Sequence, residues 1–418
     1  MGNNLPKGWT SHPLKDVVSS RKGKKPATVI DHEKKGYDPY LLIDELEGKP
    51  ARTFTNDPKI PRANKEDVLL VWDGSIGKCT SGISGAVGST IAVLSPKKGL
   101  NTKFLEYFIR RSKNRILETS TGTGLQHINK SFLKTTEIPL PPNEEEQKCI
   151  ADKLDSLLTK VKDAQSRLDK IPTILGRFRQ SILAAAFSGE LTKSWREKNY
   201  SNVSVKNSIP ESWCWAKLGK LSFSITSGSR GWAKYYSTEG AIFIRSQDIK
   251  TDSLDLNNVA HVNLPNKAEG KRTKVTKGDL LITITGANVA KAAWIDKKID
   301  EVYVSQHVGL IRLKNPKMAN YIHLWMISSN HGRKQLLDSA YGVGKPGLNL
   351  DNLKDVDVVC PPLDEQQEIN RVVKEYFSEI DKIALRYRNT KNCTDKLEQS
   401  ILAKAFRGKL VSQETSRC

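Results

Sequence analysis

The chain has 418 residues, with 67 Lys and Arg against 46 Asp and Glu, a formal net charge of +21, and 38% apolar side chains. That length excludes a single small domain and allows two or three of roughly 100 to 200 residues each. The longest apolar run, 182–187, is far short of the roughly 20 residues that cross a bilayer, and the first residues carry no apolar export signal. A soluble cytoplasmic protein with affinity for a polyanion is expected. The six cysteines show no CxxC or Cys/His spacing, so reduced thiols are expected rather than a zinc site or disulfide framework.

Residues 1–142 mix short β-branched runs (68–71, 91–94) with Gly-rich turns and one short helix near 104–111, the pattern of a globular α+β block. Residues 5–142 hold 23 basic and 14 acidic side chains (+9). The basic loop Arg21-Lys22-Gly23-Lys24-Lys25, with Arg52 and Arg62 nearby, is the candidate polyanion contact. Pro141-Pro142 and a run of acids then lead into 144–169. There Ile150, Leu154, Leu157, Val161, Ala164, Leu168 and Ile171 repeat at 4, 3, 4, 3, 4, 3, a heptad seam on a long helix. Pro172 interrupts it, and a helical pattern resumes over 174–187 and stops at Gly189. Residues 143–192 carry no net charge, and 193–208 read as a polar linker.

Residues 209–362 form a second α+β block, with strand-like runs at 241–244, 280–284 and 308–313 and 21 basic against 14 acidic side chains (+7). Its counterpart of the basic loop is 228–236, where Ser229, Arg230, Trp232, Lys234, Tyr235 and Tyr236 combine cations and aromatics on a Gly-flexed segment; Arg245 and Gln247 follow the next strand. Residues 363–418 repeat the seam as Ile369, Val373, Tyr376, Ile380, Ile383 and Tyr387, with Gly408 at the stop. Two seams this apolar are expected to meet as an antiparallel rod.

The resemblance between the halves is literal in places. Gln180-Ser181-Ile182-Leu183-Ala184-Ala185-Ala186-Phe187-Ser188-Gly189-Glu190-Leu191 returns, nine identities in twelve, from Gln399 through Phe406 to Leu410. Pro141-Pro142 with acids and Gln147 returns as Pro361-Pro362 with acids and Gln367, and Gly122-Thr123-Gly124 as Gly342-Val343-Gly344. A long-period repeat with similar C-terminal and divergent N-terminal parts follows, a pseudo-two-fold arrangement.

Motifs suggestive of catalysis lack their context. Gly342-Val343-Gly344-Lys345-Pro346-Gly347 spells GxGxxG, but a helical pattern precedes it and Pro346 lies inside it, so it reads as a turn rather than a dinucleotide or S-adenosylmethionine loop. Asp38-Pro39-Tyr40 lacks a proline of the adenine methyltransferase signature. Asp255 with Glu269-Gly270-Lys271, and Asp16 with Glu33-Lys34-Lys35, have nuclease-like spacing that does not recur in the other half. No catalytic site, and no metal or cofactor bound by this chain, is expected.

Two variable basic domains, each followed by a near-repeated helix introduced by Pro-Pro, acids and Gln, resemble the DNA-specificity subunit of type I restriction-modification systems. The carrying residues are 139–147, 360–367, the paired Gln-Ser-Ile-Leu-Ala segments and the domain openings Leu5-Pro6-Lys7-Gly8-Trp9 and Ile209-Pro210-Glu211-Ser212-Trp213. Asn143 departs from the leucine more usual after the prolines. The resemblance implies target-recognition domains at 1–142 and 209–362, spacer helices at 143–192 and 363–418, and an α+β fold with two antiparallel coiled-coil helices. It implies a double-stranded DNA partner read in two parts, and docking of methyltransferase subunits, two in number, which would carry S-adenosylmethionine; restriction or translocase subunits are compatible with it. Pro141, Pro142, Gln147, Gln180, Phe187, Pro361, Pro362, Gln367, Gln399 and Phe406 are the partner-docking candidates. The 26 residues of 144–169 span roughly 39 Å at 1.5 Å each, which suggests half-sites separated by roughly 5 to 8 base pairs, since one B-DNA turn is roughly 34–36 Å. The competing classes are an enzyme with an unrecognised methyltransferase or nuclease site, and a coiled-coil scaffold with incidental positive charge.

Overall fold

The structure, a computed structural model, describes residues 5–120, 126–129, 131–200, 204–206, 209–228, 230–250, 253–265, 270–342 and 344–411. The chain folds as two compact units that do not follow its linear order. One comprises Met1–Asp169 with Tyr387–Cys418, the other Lys170–Arg386. The spans 143–192 and 363–418 are each divided between the units, at 169/170 and 386/387.

The first unit is built on a four-stranded antiparallel sheet in the order Val18–Lys22, Ile91–Pro96, Val68–Val71, Cys79–Ser81. Val68–Val71 is apolar at every position because both of its faces are covered. Val68 and Leu70 pack with Phe104 and Phe108 of the helix Thr102–Arg111, while Leu69 points into a second core with Leu41 and Val87. Leu41 and Val87 belong to Asp38–Leu41 and Gly85–Val87, the parallel pair at the centre of a second small sheet. Thr10–Pro13 pairs antiparallel with Glu137–Leu140 and ties the start of the block to the approach of the long helix.

The second unit repeats this plan. Its main sheet runs Ser222–Ser227, Val308–Leu313, Leu280–Thr283, Ala292–Trp294; Ala241–Ile244 is parallel to Val302–Val304, and Cys214–Lys217 pairs with Asp357–Cys360. Leu280 and Ile282 face Tyr321 and Trp325, and Leu281 faces Ile244 and Val304. The divergent blocks thus share the order of the main sheet and the parallel strand pair although little of their sequence matches, while their second small sheets differ in strand order.

The helices are Glu144–Leu168, Ile171–Phe187 with Pro172 in its first turn, and an uninterrupted Leu363–Ala405. Asn143, which stands in place of the more usual leucine, caps the first helix by accepting the Glu146 N–H at 2.8 Å. The pairing is antiparallel. In the first unit Gln165 bonds Asp395 at 3.2 Å and Asp169 meets Lys391; in the second Arg179 meets Asp381 and lies over the Phe377 ring at 4.6 Å.

The seam has the expected period but a different phase. The line of inward positions along the pair is 150, 154, 158, 161, 165 and 168, and in the other copy 369, 373, 377, 380, 384 and 387, with 151, 155, 157, 370 and 372 also buried or half-buried where the helices lie on their blocks. One extra 4-step near the start lets each helix pack on its own block before it turns to the opposing helix. Leu157 is therefore only half-buried, and Ala164, Tyr376 and Ile383 stand exposed. Residues 193–208 are not simply a linker: Lys193–Asn199 is helical and its Arg196 is buried. Among the described residues Cys79, Cys214, Cys360 and Cys393 are free thiols. Among the described residues no helix is long and apolar enough to cross a membrane.

Candidate nucleic-acid interface

The two basic loops leave their sheets at the same point. Gly23 follows the edge strand of the first sheet; its N–H donates to Ile91 O at 2.9 Å, and a Cβ there would lie 2.2 Å from the Gly88 carbonyl oxygen. Gly228 follows the matching strand, and a Cβ on it would lie 2.0 Å from Val304 O. Only glycine lets the chain pass that close to the second sheet. Beyond these glycines Lys24, Lys25 and Arg230 are exposed, with no acidic partner among the described residues; Ser229 lies outside them. Lys234 rests over the Tyr235 ring at 5.0 Å, and Tyr236 and Gln247 are exposed. Arg52 is exposed beside a shallow recess shared with Leu42 and Thr90.

Other candidates are committed inside the chain. Arg21 donates to Asp67 at 3.0 Å, Ser95 Oγ at 2.7 Å and Arg62 O at 2.8 Å. In the second unit the matching acid, Asp279, is held by Arg312 through two bonds of 2.8 and 2.7 Å, and this pairing raises the Arg312 pKa. Both acids are buried at a strand start, so each needs a cation, and the two units recruit it from neighbouring strands. Arg62 pairs with Asp38 at 3.0 Å and donates to Ile60 O at 2.7 Å. Arg245 grips Asp248 through bonds of 3.1 and 3.0 Å, which raise its pKa. Trp232 is a correction: it is buried, stacked on Phe243 at 5.6 Å and edge-on to Tyr303 at 5.4 Å, and serves the core rather than the surface.

One constellation was missed by sequence reasoning. Asp73, at the end of the central strand, accepts from Lys22 at 2.6 Å and pairs with His127 Nδ1 at 2.7 Å. Burial works to raise its pKa, but the bonds from Lys22 and His127 outweigh it and hold the carboxyl below its ordinary value. The corresponding turn of the second unit closes through Tyr341 and Gly347, whose N–H groups donate to each other's carbonyls at 3.0 and 2.9 Å. It presents Tyr341 and Lys345. The described residues of the GxGxxG segment, all but Val343, are thus closed off by the Tyr341 and Gly347 pair beside the strand end. The recurrence of the Gly-x-Gly tripeptide was the signal that could have identified His127, Tyr341 and Lys345.

The repeated motifs converge elsewhere, in one knot per unit. Trp9 Nε1 donates to Glu146 at 3.0 Å, and Trp213 Nε1 to Glu365 at 2.8 Å. Phe406 packs on Phe104 and Phe108 (4.8 and 5.5 Å), and Phe187 on Tyr321 and Trp325 (5.6 and 4.9 Å). Gln399 donates to Arg110 O and Gln180 to Ile327 O, each at 3.4 Å. Gly408 and Gly189 have positive φ, and a Cβ on either would lie within 2.5 Å of Pro6 or Pro210. Gln147 is buried and binds Gly99 O and the Asn101 N–H, both at 2.9 Å. Its true counterpart is the buried Gln366, one residue from the expected Gln367, which is exposed. Pro141 and Pro361 are buried, Pro142 exposed and Pro362 half-buried. Phe187, Phe406 and Gln147 therefore close the chain's own cores and are withdrawn as docking contacts.

A family model, the type I restriction modification DNA specificity domain, matches residues 6–172 and 233–386. The chain is 34% identical over 319 residues to the type I restriction enzyme EcoBI specificity subunit of Escherichia coli, spanning 75% of this chain and 66% of that subunit. It is 29% identical over 433 residues to the StySPI specificity subunit of Salmonella potsdam, spanning 98% of this chain and 90% of that one. A chain solved in work on complex assembly and conformational transition of the type I R-M system covers 98% of this chain and 100% of its own, with a TM-score of 0.70 and 18% identity, a likeness of fold.

Proposed function

The chain belongs to the family of type I restriction-modification DNA specificity proteins, and from that premise we propose that its two units act as separate readers of one bipartite DNA site. The observation that carries this is the shared departure point of the basic loops at Gly23 and Gly228, followed in each unit by cations that no acid among the described residues occupies. Lys24, Lys25, Arg52, Arg230 and Lys234 supply phosphate contacts that fix register. Tyr236 and Gln247, with the turns bearing His127 and Lys345, offer groups for base edges. Arg21, Arg62 and Arg245 act as positioning residues for these loops, because their guanidinium groups are already engaged.

In this reading the paired helices set the gap between half-sites. Methyltransferase subunits dock on apolar side chains that the helices leave exposed: Ile174 and Phe178 one turn apart, and Tyr376 and Ile383 two turns apart. The chain itself performs no chemistry and binds no cofactor; S-adenosylmethionine belongs to the methyltransferase subunit, and the assembly works in the cytoplasm. The test is methyl transfer to DNA by the purified chain with and without its neighbouring methyltransferase subunit. Transfer only when both are present supports the reading, and transfer by the chain alone overturns it.

A further inference from the structure

The first unit holds a recess of about 760 Å³ away from the basic loop, walled by Phe108, Phe406, Pro6 and Pro139 and rimmed by Arg111, Arg115, Arg407 and Lys409. Four cations meet one acid there. That acid, Glu137, is occupied by the Ser11 hydroxyl at 2.8 Å, and Arg115 donates to the Thr135 carbonyl at 2.8 Å. Arg111, Arg407 and Lys409 have no acidic partner among the described residues. Arg111 is half-buried over the Phe406 ring, 5.6 Å from its centroid. Thr136 on the wall is 2% exposed, and its hydroxyl has no hydrogen-bond partner among the described residues.

The second unit is an internal control for what the fold itself requires. The Gln399 and Gln180 bonds to Arg110 O and Ile327 O align the two short helices, so Ser328 stands where Arg111 stands. The repeat places Ser188 at Arg407 and Glu190 at Lys409. The strand pairings place Trp215 at Ser11 and, one residue before each second strand, Val356 at Thr136. Trp215 packs against Trp325 at 5.9 Å, on the aromatic that matches Phe108. The same frame therefore closes without these three cations, with a methyl group where the first unit keeps an unpartnered hydroxyl, and with an indole where the first unit keeps space.

We propose that this recess of the first unit is a binding site for a multiply charged phosphate group, held by Arg111, Arg407 and Lys409 with Arg115 at the rim and the Thr136 hydroxyl as an inner partner. Three unpaired cations exceed what a single carboxylate needs, and guanidinium groups match phosphate oxygens in a planar, bidentate way. Electrostatics agree with an incomplete site: burial, and then the charge of Arg407, lower the Arg111 pKa, a cost that an anion removes. The phosphate has two possible sources, a free polyphosphate or the DNA backbone. The site stands apart from the two-reader proposal, since its residues lie outside the loops assigned to base reading.

The test uses the full chain and inorganic triphosphate as probe, followed by calorimetric titration. The comparison is with a variant carrying Arg111→Ser, Arg407→Ser and Lys409→Glu, each the residue that the second unit tolerates at that place, and with Lys162→Ser as a surface-charge control. Saturable binding by the parent chain and by the control, weakened at least tenfold in the triple variant, supports a site for free phosphate compounds. If triphosphate does not bind but the triple variant lowers the salt slope of duplex DNA binding, the phosphate is that of the DNA backbone, and the site stands. Triphosphate and DNA binding both unchanged in a folded triple variant would overturn the proposal. So would a loss confined to association with a partner protein.

Discussion

Glu146 and Glu365 occupy the same place in the two units, each accepting from the indole of a domain-opening tryptophan, yet their surroundings differ. Glu146 is half-buried, with that single side-chain bond among the described residues. Glu365 is fully buried and also takes Arg196 and the Thr192 hydroxyl, the latter at 2.8 Å. Arg196 comes from the helix Lys193–Asn199, in the segment that joins the halves. The repeat therefore preserves geometry, whereas each unit has acquired its own electrostatics on that geometry.

Breaking this contrast should give unequal effects. Glu365→Gln leaves Arg196 buried without a counter-charge and is expected to cost the second unit about 3–5 kcal/mol, whereas Glu146→Gln should cost about 1 kcal/mol, the scale of one hydrogen bond. Denaturant unfolding of both variants measures the difference; equal losses would mean that the two knots are energetically alike. The aromatic anchors should behave symmetrically. Phe406→Ala and Phe187→Ala are each expected to cost about 3–5 kcal/mol, with hydrogen exchange rising over 102–118 for the former and over 319–338 for the latter. Exchange that rises in both units for either variant would contradict two separate cores.

At the basic loops the expected effect is on binding rather than on folding. Lys24→Ala with Lys25→Ala should lower the slope of log affinity against log salt by about 0.9 for each DNA phosphate that is no longer neutralised, while leaving the unfolding midpoint unchanged. Trp232→Ala should do the reverse, since its ring lies in the core. A stable Trp232→Ala chain with specifically altered base preference would restore that residue to the interface.

The smallest expected difference is in pH. Burial lowers the pKa of His331, beside Phe187, and burial with the charge of Lys345 lowers that of His307. For a histidine depressed in the folded state, the stabilisation is complete above its unfolded value near 6.5 and is lost as the pH falls through the folded value. Acidification from pH 7 to 5 should thus loosen the second unit more than the first, and His331→Gln should shrink the gap. Hydrogen exchange at the two pH values reads this directly.

Much of the architecture was legible because repetition is a literal signal. The twelve-residue echo, the Pro-Pro entries and the seam period require no knowledge of tertiary contacts. The phase of the seam was not legible, because Leu157 and Leu158 are equally apolar and only packing on the block decides which one turns inward. Nor was the commitment of Arg21, whose partner Asp67 lies 46 residues away, or the burial of Trp232 under a strand from beyond residue 300. The repeated aromatics and glutamines announced importance but not its kind. They hold each block to the end of the opposite helix, a role that no local pattern distinguishes from docking.

The claim that two independent readers share one frame is tested most directly by exchanging residues 1–142 for the matching block of a related specificity protein. The chimera is expressed with the methyltransferase subunit, and the methylated sequences are mapped across the genome. The account predicts a bipartite motif in which one half-site changes while the other half-site and the gap are retained. A motif altered in both half-sites, or one read as a single continuous sequence, would contradict it.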